Sequence, residues 1–320
     1  MEYRRVGRSG LKVSALSLGG WLEVKYTEPT DLKHVVHTAL EQGVNFIDLA
    51  DLYSHGQVES MYGQLLSHYP RHQLVLSSKC SWAMSQGVND CGLSRKHIME
   101  SVHQTLKRLK TDYLDLFICH RFDVDTPLDE TVMAMSDLIR QGKILYWGTS
   151  MWTASQLRQA HQIALRENAY APIVEQPLYN LYEQGIHLEL ISTVRELGMG
   201  LTVWSPFAGG LLAGRSKENL LEATHSLPEF HQQSVQSWLH PWTDPLSQNQ
   251  ANAMFKIAQT YNVTSAQLAL KWILKDQEIS SVICQTSNPT HFQENAHVFS
   301  QSIPSEALNE LDQIFSEKWI

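Results

Sequence analysis

What this chain lacks narrows its reading early. Its 320 residues hold four cysteines, Cys80, Cys91, Cys119 and Cys284, with no CxxC spacing. They read as free thiols of a reducing compartment rather than as a disulfide frame. Cys80 and Cys119 adjoin residues that can do chemistry, but buried packing is the usual role of such thiols and redox sensing the rarer one. The start, Met1-Glu2-Tyr3-Arg4-Arg5, leads into no apolar stretch, so no secretory leader is expected. No run approaches the ~20 apolar residues of a membrane span. The expected location is therefore cytoplasmic, with no membrane partner. Lys and Arg never cluster and the net charge is −8, which argues against a nucleic-acid footprint. Fifteen histidines contain no H-x-H or H-E-x-x-H spacing, so no metal site is expected. No G-x-G-x-x-G follows the first apolar run, which weakens an open doubly wound sheet with a Rossmann-type site. No linker, low-complexity stretch or second core breaks the chain, which points to one domain over 1–320.

What is present is an alternation of short apolar runs and helical patterns. The runs are 14–18, 45–48, 74–79, 114–119, 144–149, 173–176, 201–204 and 281–284. Helical spacing fills 32–42, 58–68, 94–110, 128–140, 153–168, 185–197 and 289–299, with Ser94 and Thr153 as N-caps and Gly43 and Gly142 as stops. Eight such units make an α/β fold of the closed (β/α)8 TIM-barrel type. Three segments stand outside the repeat. Residues 3–13, with Gly7-Arg8-Ser9-Gly10 in the middle, predict a β-hairpin suited to plugging the barrel bottom. Residues 205–247 form a long loop after strand 7, a length usual for lids and binding loops. Residues 304–316 predict an extra C-terminal helix.

Several runs end on residues with chemical potential. Asp48 and Tyr53 follow the second run, Lys79 the third and His120 the fourth. In a barrel these ends open onto one face. Alone, each has a bland reading: a rim tyrosine, a solvated lysine, a helix-capping aspartate (Asp51 beside it is one such candidate) and an ordinary polar histidine. Together they form a proton donor, a cation that stabilises its phenolate, an anchor for that cation and a group that orients a carbonyl. That set suits general acid catalysis of carbonyl reduction. The hydride has to come from a cofactor, because no side chain donates one.

The stretch Asp48-Leu-Ala-Asp51-Leu-Tyr53-Ser-His-Gly56-Gln-Val-Glu59 resembles the D-x-A-x-x-Y-x-x-G-x-x-E signature of the aldo-keto reductase superfamily. The stretches 144–152 and 202–215 are most similar to the branch containing the potassium-channel β-subunits and their bacterial relatives. The resemblance implies that Asp48, Tyr53, Lys79 and His120 are a catalytic tetrad reducing an aldehyde or ketone with NADPH. It further implies that Gly20 and Trp21 line the nicotinamide end, with Asp48 beside them. Ser150 and Gln176 would hold the carboxamide and Trp204 would stack on the ring. Ser205, Pro206, Phe207, Ala208, Gly209 and Arg215 would cover the pyrophosphate. Gln285, Ser287, His291, Glu294 and Asn295 would hold the adenosine end. Trp21, Tyr53, Trp82, His120 and Trp152 would face a small-molecule carbonyl substrate, with Phe230, Trp238 and Trp242 on the long loop either joining them or packing that loop down. Two departures stand out. Ser287, Asn288 and His291 occupy positions where many members place cations around the NADP 2′-phosphate, which keeps NAD(H) as an alternative to NADP(H). Met151 stands where close relatives often have Arg. The branch also raises a second reading, a regulatory NADP(H)-binding subunit that senses redox state for a protein partner. His120, where channel-associated members commonly carry Asn, favours the enzyme. A metal-dependent barrel hydrolase is the third reading and has least behind it.

Overall fold

The computed structural model describes residues 1–21, 29–216, 218 and 242–316. A two-stranded antiparallel hairpin, β1 (Tyr3–Arg5) and β2 (Lys12–Ser14), precedes the barrel. Eight parallel strands then close on themselves: β3 (Leu16–Gly19), β4 (Phe46–Asp48), β5 (Val75–Cys80), β6 (Leu114–Cys119), β7 (Ile144–Ser150), β8 (Val174–Gln176), β9 (Gly200–Val203) and β10 (Ile279–Cys284), with β10 pairing back onto β3. This is the (β/α)8 barrel expected from the alternation. Strand ends stay in step around part of the ring. Gly19 lies beside Asp48, Asp48 beside Ser77, Lys79 beside Ile118 and Ser150 beside Gln176. Residues far apart in sequence therefore reach one mouth.

The intervening helices are α1 (Pro29–Glu41), α2 (Gln57–Leu66), α3 (Arg95–Leu109), α4 (Leu128–Arg140), α5 (Ala154–Arg166), α6 (Leu190–Leu197), α7 (Pro245–Thr260), α8 (Ser265–Ile273) and α9 (Pro289–Ala296), followed by the extra α10 (Ser305–Phe315). Local chemistry sets their starts. Ser94 accepts from the His97 amide at 3.2 Å, and Thr153 with Gln156 and Thr264 with Gln267 form reciprocal capping boxes. The predicted helix 185–197 is a single 3₁₀ turn followed by α6, with the break at Leu188 and Glu189. The long connection ends earlier than Ser247, because Asp244 caps α7 and Pro245 occupies its first turn.

The hairpin does plug the bottom. Val6 and Val13 pack with Phe46, Val75, Leu116 and Val174 in an apolar cluster separate from the main core between strands and helices. Arg4 fastens it, donating to the carbonyls of Leu274, Asp276 and Ile279 at 2.9, 3.2 and 2.8 Å. With that end sealed, chemistry is left to the other. No helix among the described residues is long and apolar enough to cross a membrane.

Candidate active site

Asp48 closes β4 and Lys79 stands near the end of β5. The Lys79 side chain is fully buried, and its Nζ donates to Asp48 Oδ2 at 2.7 Å, to the Leu49 carbonyl at 2.6 Å and to the Tyr53 hydroxyl at 3.4 Å. The Ser77 hydroxyl and the Gln176 amide, at 3.2 Å, both donate to Asp48 Oδ1. A buried carboxylate is thus satisfied on both oxygens, as burial of a charge requires. Burial is the largest single influence and works against the Lys79 charge, but Asp48 and Tyr53 together outweigh it and hold the ammonium above its ordinary range. Burial pushes the Tyr53 phenol up and Lys79 pulls it back, with burial the stronger of the two. The simple expectation of a lowered phenol pKa therefore fails for the chain alone: Lys79 offsets the cost of ionising Tyr53 without removing it.

The turn that carries Tyr53 is strained and locked. Ser54, His55 and Gly56 all have positive φ, at 44°, 48° and 81°. Side chains rarely adopt that region outside functional turns. A Cβ at Gly56 would sit 2.7 Å from the Arg108 side chain. Arg108 in turn bonds Glu59 at 2.5 Å, and Ser78, next to Lys79, donates to the other oxygen of Glu59 at 2.6 Å. Asp51 is not a helix cap. It lies buried beneath the turn, accepts from the Ser101 hydroxyl at 2.8 Å, and burial together with the Glu59 charge raises its pKa to about 7.

His120 follows β6 with its ring edge-on to Tyr53 at 6.2 Å and to Trp82 at 6.3 Å between centroids. Burial, then Lys79 and Arg121, drive its pKa well below the ordinary value, so the imidazole is neutral. Its Nδ1 is buried without a partner among the described residues. Trp21 stacks near Tyr53, 6.3 Å away and tilted by 12°. These half-buried aromatics flank the tetrad. Trp152, just past β7, is more deeply buried than these. Met151, at φ 59°, turns the chain so that the Trp152 amide meets Glu175 at 3.1 Å and its ring packs edge-on against Phe122 in the core. Trp242 is buried too, its indole donating to Glu183 at 3.0 Å, so it packs the loop down. Phe230 and Trp238 lie outside the described residues. Burial raises the Cys80 and Cys119 thiols above their ordinary range, which suits packing rather than thiolate chemistry. No cluster of three metal-ligating side chains occurs among the described residues.

The residues proposed for a nucleotide cofactor surround the same mouth. The Ser150 hydroxyl donates to the Gln176 carbonyl at 2.8 Å, and Trp204 bridges to Leu178 just past β8. Ser205, Ala208, Gly209 and Gly210 then follow with φ of 56°, 48°, 69° and 107°. Such turns present backbone N–H groups to anions. Arg215 folds back onto this turn, 3.4 Å from the Gly209 carbonyl and so close that a Cβ at Gly210 would lie 3.2 Å from it. Its guanidinium has no carboxylate partner among the described residues. A cation over a glycine turn fits a pyrophosphate. Pro206 is buried and Phe207 half-buried in the same turn, and Gly20 is buried at the end of β3. Gln285 and Ser287 are exposed between β10 and α9, and His291 and Glu294 are exposed on α9, while Asn295 is buried; Asn288 caps α9 through the Thr290 amide at 2.9 Å. No Lys or Arg lies in 285–295.

The sequence of the Aldo/keto reductase family matches residues 15–316. A rice protein (Oryza sativa subsp. japonica) named a probable voltage-gated potassium channel subunit beta is 38% identical over 301 residues, covering 92% of this chain and 90% of its own length. An Arabidopsis thaliana protein of the same name is 37% identical over 301 residues, with the same coverage of 92% and 90%. A Schizosaccharomyces pombe protein, also provisionally named a voltage-gated potassium channel subunit beta, is 36% identical over 325 residues, covering 99% of this chain and 94% of its own length.

Proposed function

The chain belongs to the aldo/keto reductase family, and on that premise we propose that it reduces an aldehyde or ketone to an alcohol by hydride transfer from NADPH. The position of Lys79 Nζ, between the Asp48 carboxylate and the Tyr53 hydroxyl at the open end of the barrel, supports this most. NADPH, when bound, supplies the hydride. The rest falls to the chain. Tyr53 holds the proton at its phenol oxygen and gives it to the carbonyl oxygen. Lys79, kept cationic by Asp48, stabilises the phenolate left behind. Neutral His120 hydrogen-bonds the carbonyl oxygen as charge develops there. Trp21 and Trp82 exclude water around the reacting group.

Ser150 and Gln176 would hold the carboxamide, with Gly20 and Trp204 against the ring. The turn 205–209 and Arg215 would take the pyrophosphate. Gln285, Ser287, His291, Glu294 and Asn295 would take the adenosine end. Without Lys or Arg in that last group, discrimination for the 2′-phosphate rests on hydrogen bonding, and NADH is the competitor to test.

The test is a titration with NADPH and NADH followed by tryptophan fluorescence, then aldehyde turnover by the wild type and Tyr53→Phe. NADPH should quench, and the variant should bind it equally well yet lose about 10²- to 10⁴-fold in turnover. Turnover surviving Tyr53→Phe would sink the general-acid assignment. The channel-subunit names of the relatives support a second reading, a regulatory subunit that binds NADP(H) and reports redox state to a partner. NADPH binding by a wild type that turns over no carbonyl compound would favour it.

A further inference from the structure

We infer that Arg121 recognises a carboxylate on the substrate, so that the preferred substrates are aldehydes or ketones carrying a carboxylate group. This deepens the reductase reading above and rests on it. Arg121 directly follows His120. Its Nη1 donates to the His120 carbonyl at 2.5 Å and approaches the Ser150 hydroxyl at 3.5 Å, and its guanidinium carbon lies 5.7 Å from the centre of the Trp82 ring. It is therefore at the mouth, close enough to act electrostatically on both Tyr53 and His120.

Its pairing is what sets it apart. The other largely buried arginines each hold a carboxylate: Arg4 with Glu2 at 2.7 Å, Arg71 with Asp115 at 2.6 Å and Arg108 with Glu59 at 2.5 Å. Arg121, itself only partly exposed, has no carboxylate within 4.0 Å among the described residues. Tyr53 and then Glu175 are the acids it feels, and the Glu175 side chain is taken up by the Thr149 hydroxyl and the Trp152 amide. A cation withdrawn from water without a counter-charge is unfavourable unless a ligand supplies one. Among the described residues its hydrogen bonds to protein run through Nη1. The Nε and Nη2 hydrogens, the flat edge of the fork, meet no protein acceptor among the described residues. That edge matches the two oxygens of a carboxylate.

The test compares 4-formylbenzoate with its methyl ester, using NADPH, in wild type, Arg121→Met and Arg121→Lys. The ratio of kcat/KM for acid over ester should exceed one in the wild type. It should fall about 10- to 100-fold in Arg121→Met, mainly through KM, and by less in Arg121→Lys, which keeps charge but loses the fork. An unchanged ratio overturns the inference. So does NADPH affinity falling by the same factor, since Arg121 would then serve the cofactor. If the wild type reduces neither aldehyde, the reductase reading fails by itself. Anion recognition is then read from tryptophan fluorescence with 4-(hydroxymethyl)benzoate and its methyl ester. At least tenfold tighter binding of the acid, lost in Arg121→Met, supports it, and equal binding overturns it.

Discussion

The two ends of the barrel are built from the same strands by opposite rules. At the lower end Phe46, Val75, Leu116 and Val174 meet the hairpin residues Val6 and Val13 in an apolar plug. Two to four residues further along those strands stand Asp48, Lys79, His120 and Gln176. The plug asks only for well-fitting apolar volume, so its errors are graded. The upper end buries charges whose stability depends on named partners, so an error there leaves a group unpaired. The contrast explains how one short strand can serve both rigidity and chemistry.

The strongest way to break this contrast is Lys79→Met. It should lower aldehyde turnover by about 10²-fold or more and unfolding free energy by about 3–5 kcal/mol, because Asp48 is left buried without its cation. Steady-state kinetics and urea unfolding check both, and an active, stable variant would show that the upper end tolerates errors as the plug does. Next comes Leu116→Ala in the plug, expected to cost about 2–5 kcal/mol in urea unfolding while kcat at 25 °C stays within about twofold. A collapse of kcat in the folded variant would mean that the two ends are coupled.

The smallest effect sharpens the comparison within the upper end. The Asp51 pKa is raised to about 7 from 3.8, by burial first and Glu59 second. Between those values the folded chain keeps a proton that the unfolded chain releases, so stability falls as pH rises through that window and levels off above it. Asp51→Asn removes this dependence. Its advantage over the wild type should grow by about 2–3 kcal/mol from pH 5 to pH 8 in denaturation curves. An equal effect at both pH values would show that Asp51 is already ionised in the fold.

Much of the architecture was legible in the sequence, because strand and helix periods are local and the Asp48-to-Glu59 spacing is compact. What escaped was long-range. Arg108 reaches Glu59 across 49 residues and Ser101 reaches Asp51 across 50, distances at which no periodic pattern speaks. Arg121 passed unnoticed because a basic residue after a strand is ordinarily solvated. Trp152 was expected at the mouth, but its burial against Phe122, beside the positive-φ Met151, was not readable from the sequence. The start of α7 was readable, since Asp244-Pro245 is a cap followed by a first-turn proline, yet it was absorbed into the preceding loop.

The anchoring of the hairpin also bears on how this chain is made. Arg4 finds its acceptors 270 to 275 residues downstream, and β3 finds its second neighbour only in β10. At ribosomal rates of about 5–20 residues per second, the first barrel strand waits roughly 15–50 s for the partner that seals it. Until then Leu16 and Leu18 sit on an unpaired sheet edge, the kind of template that recruits other nascent chains. Translation speed through the last third of the message, and any chaperone that shields β3 meanwhile, should therefore govern how much of the protein reaches the closed barrel.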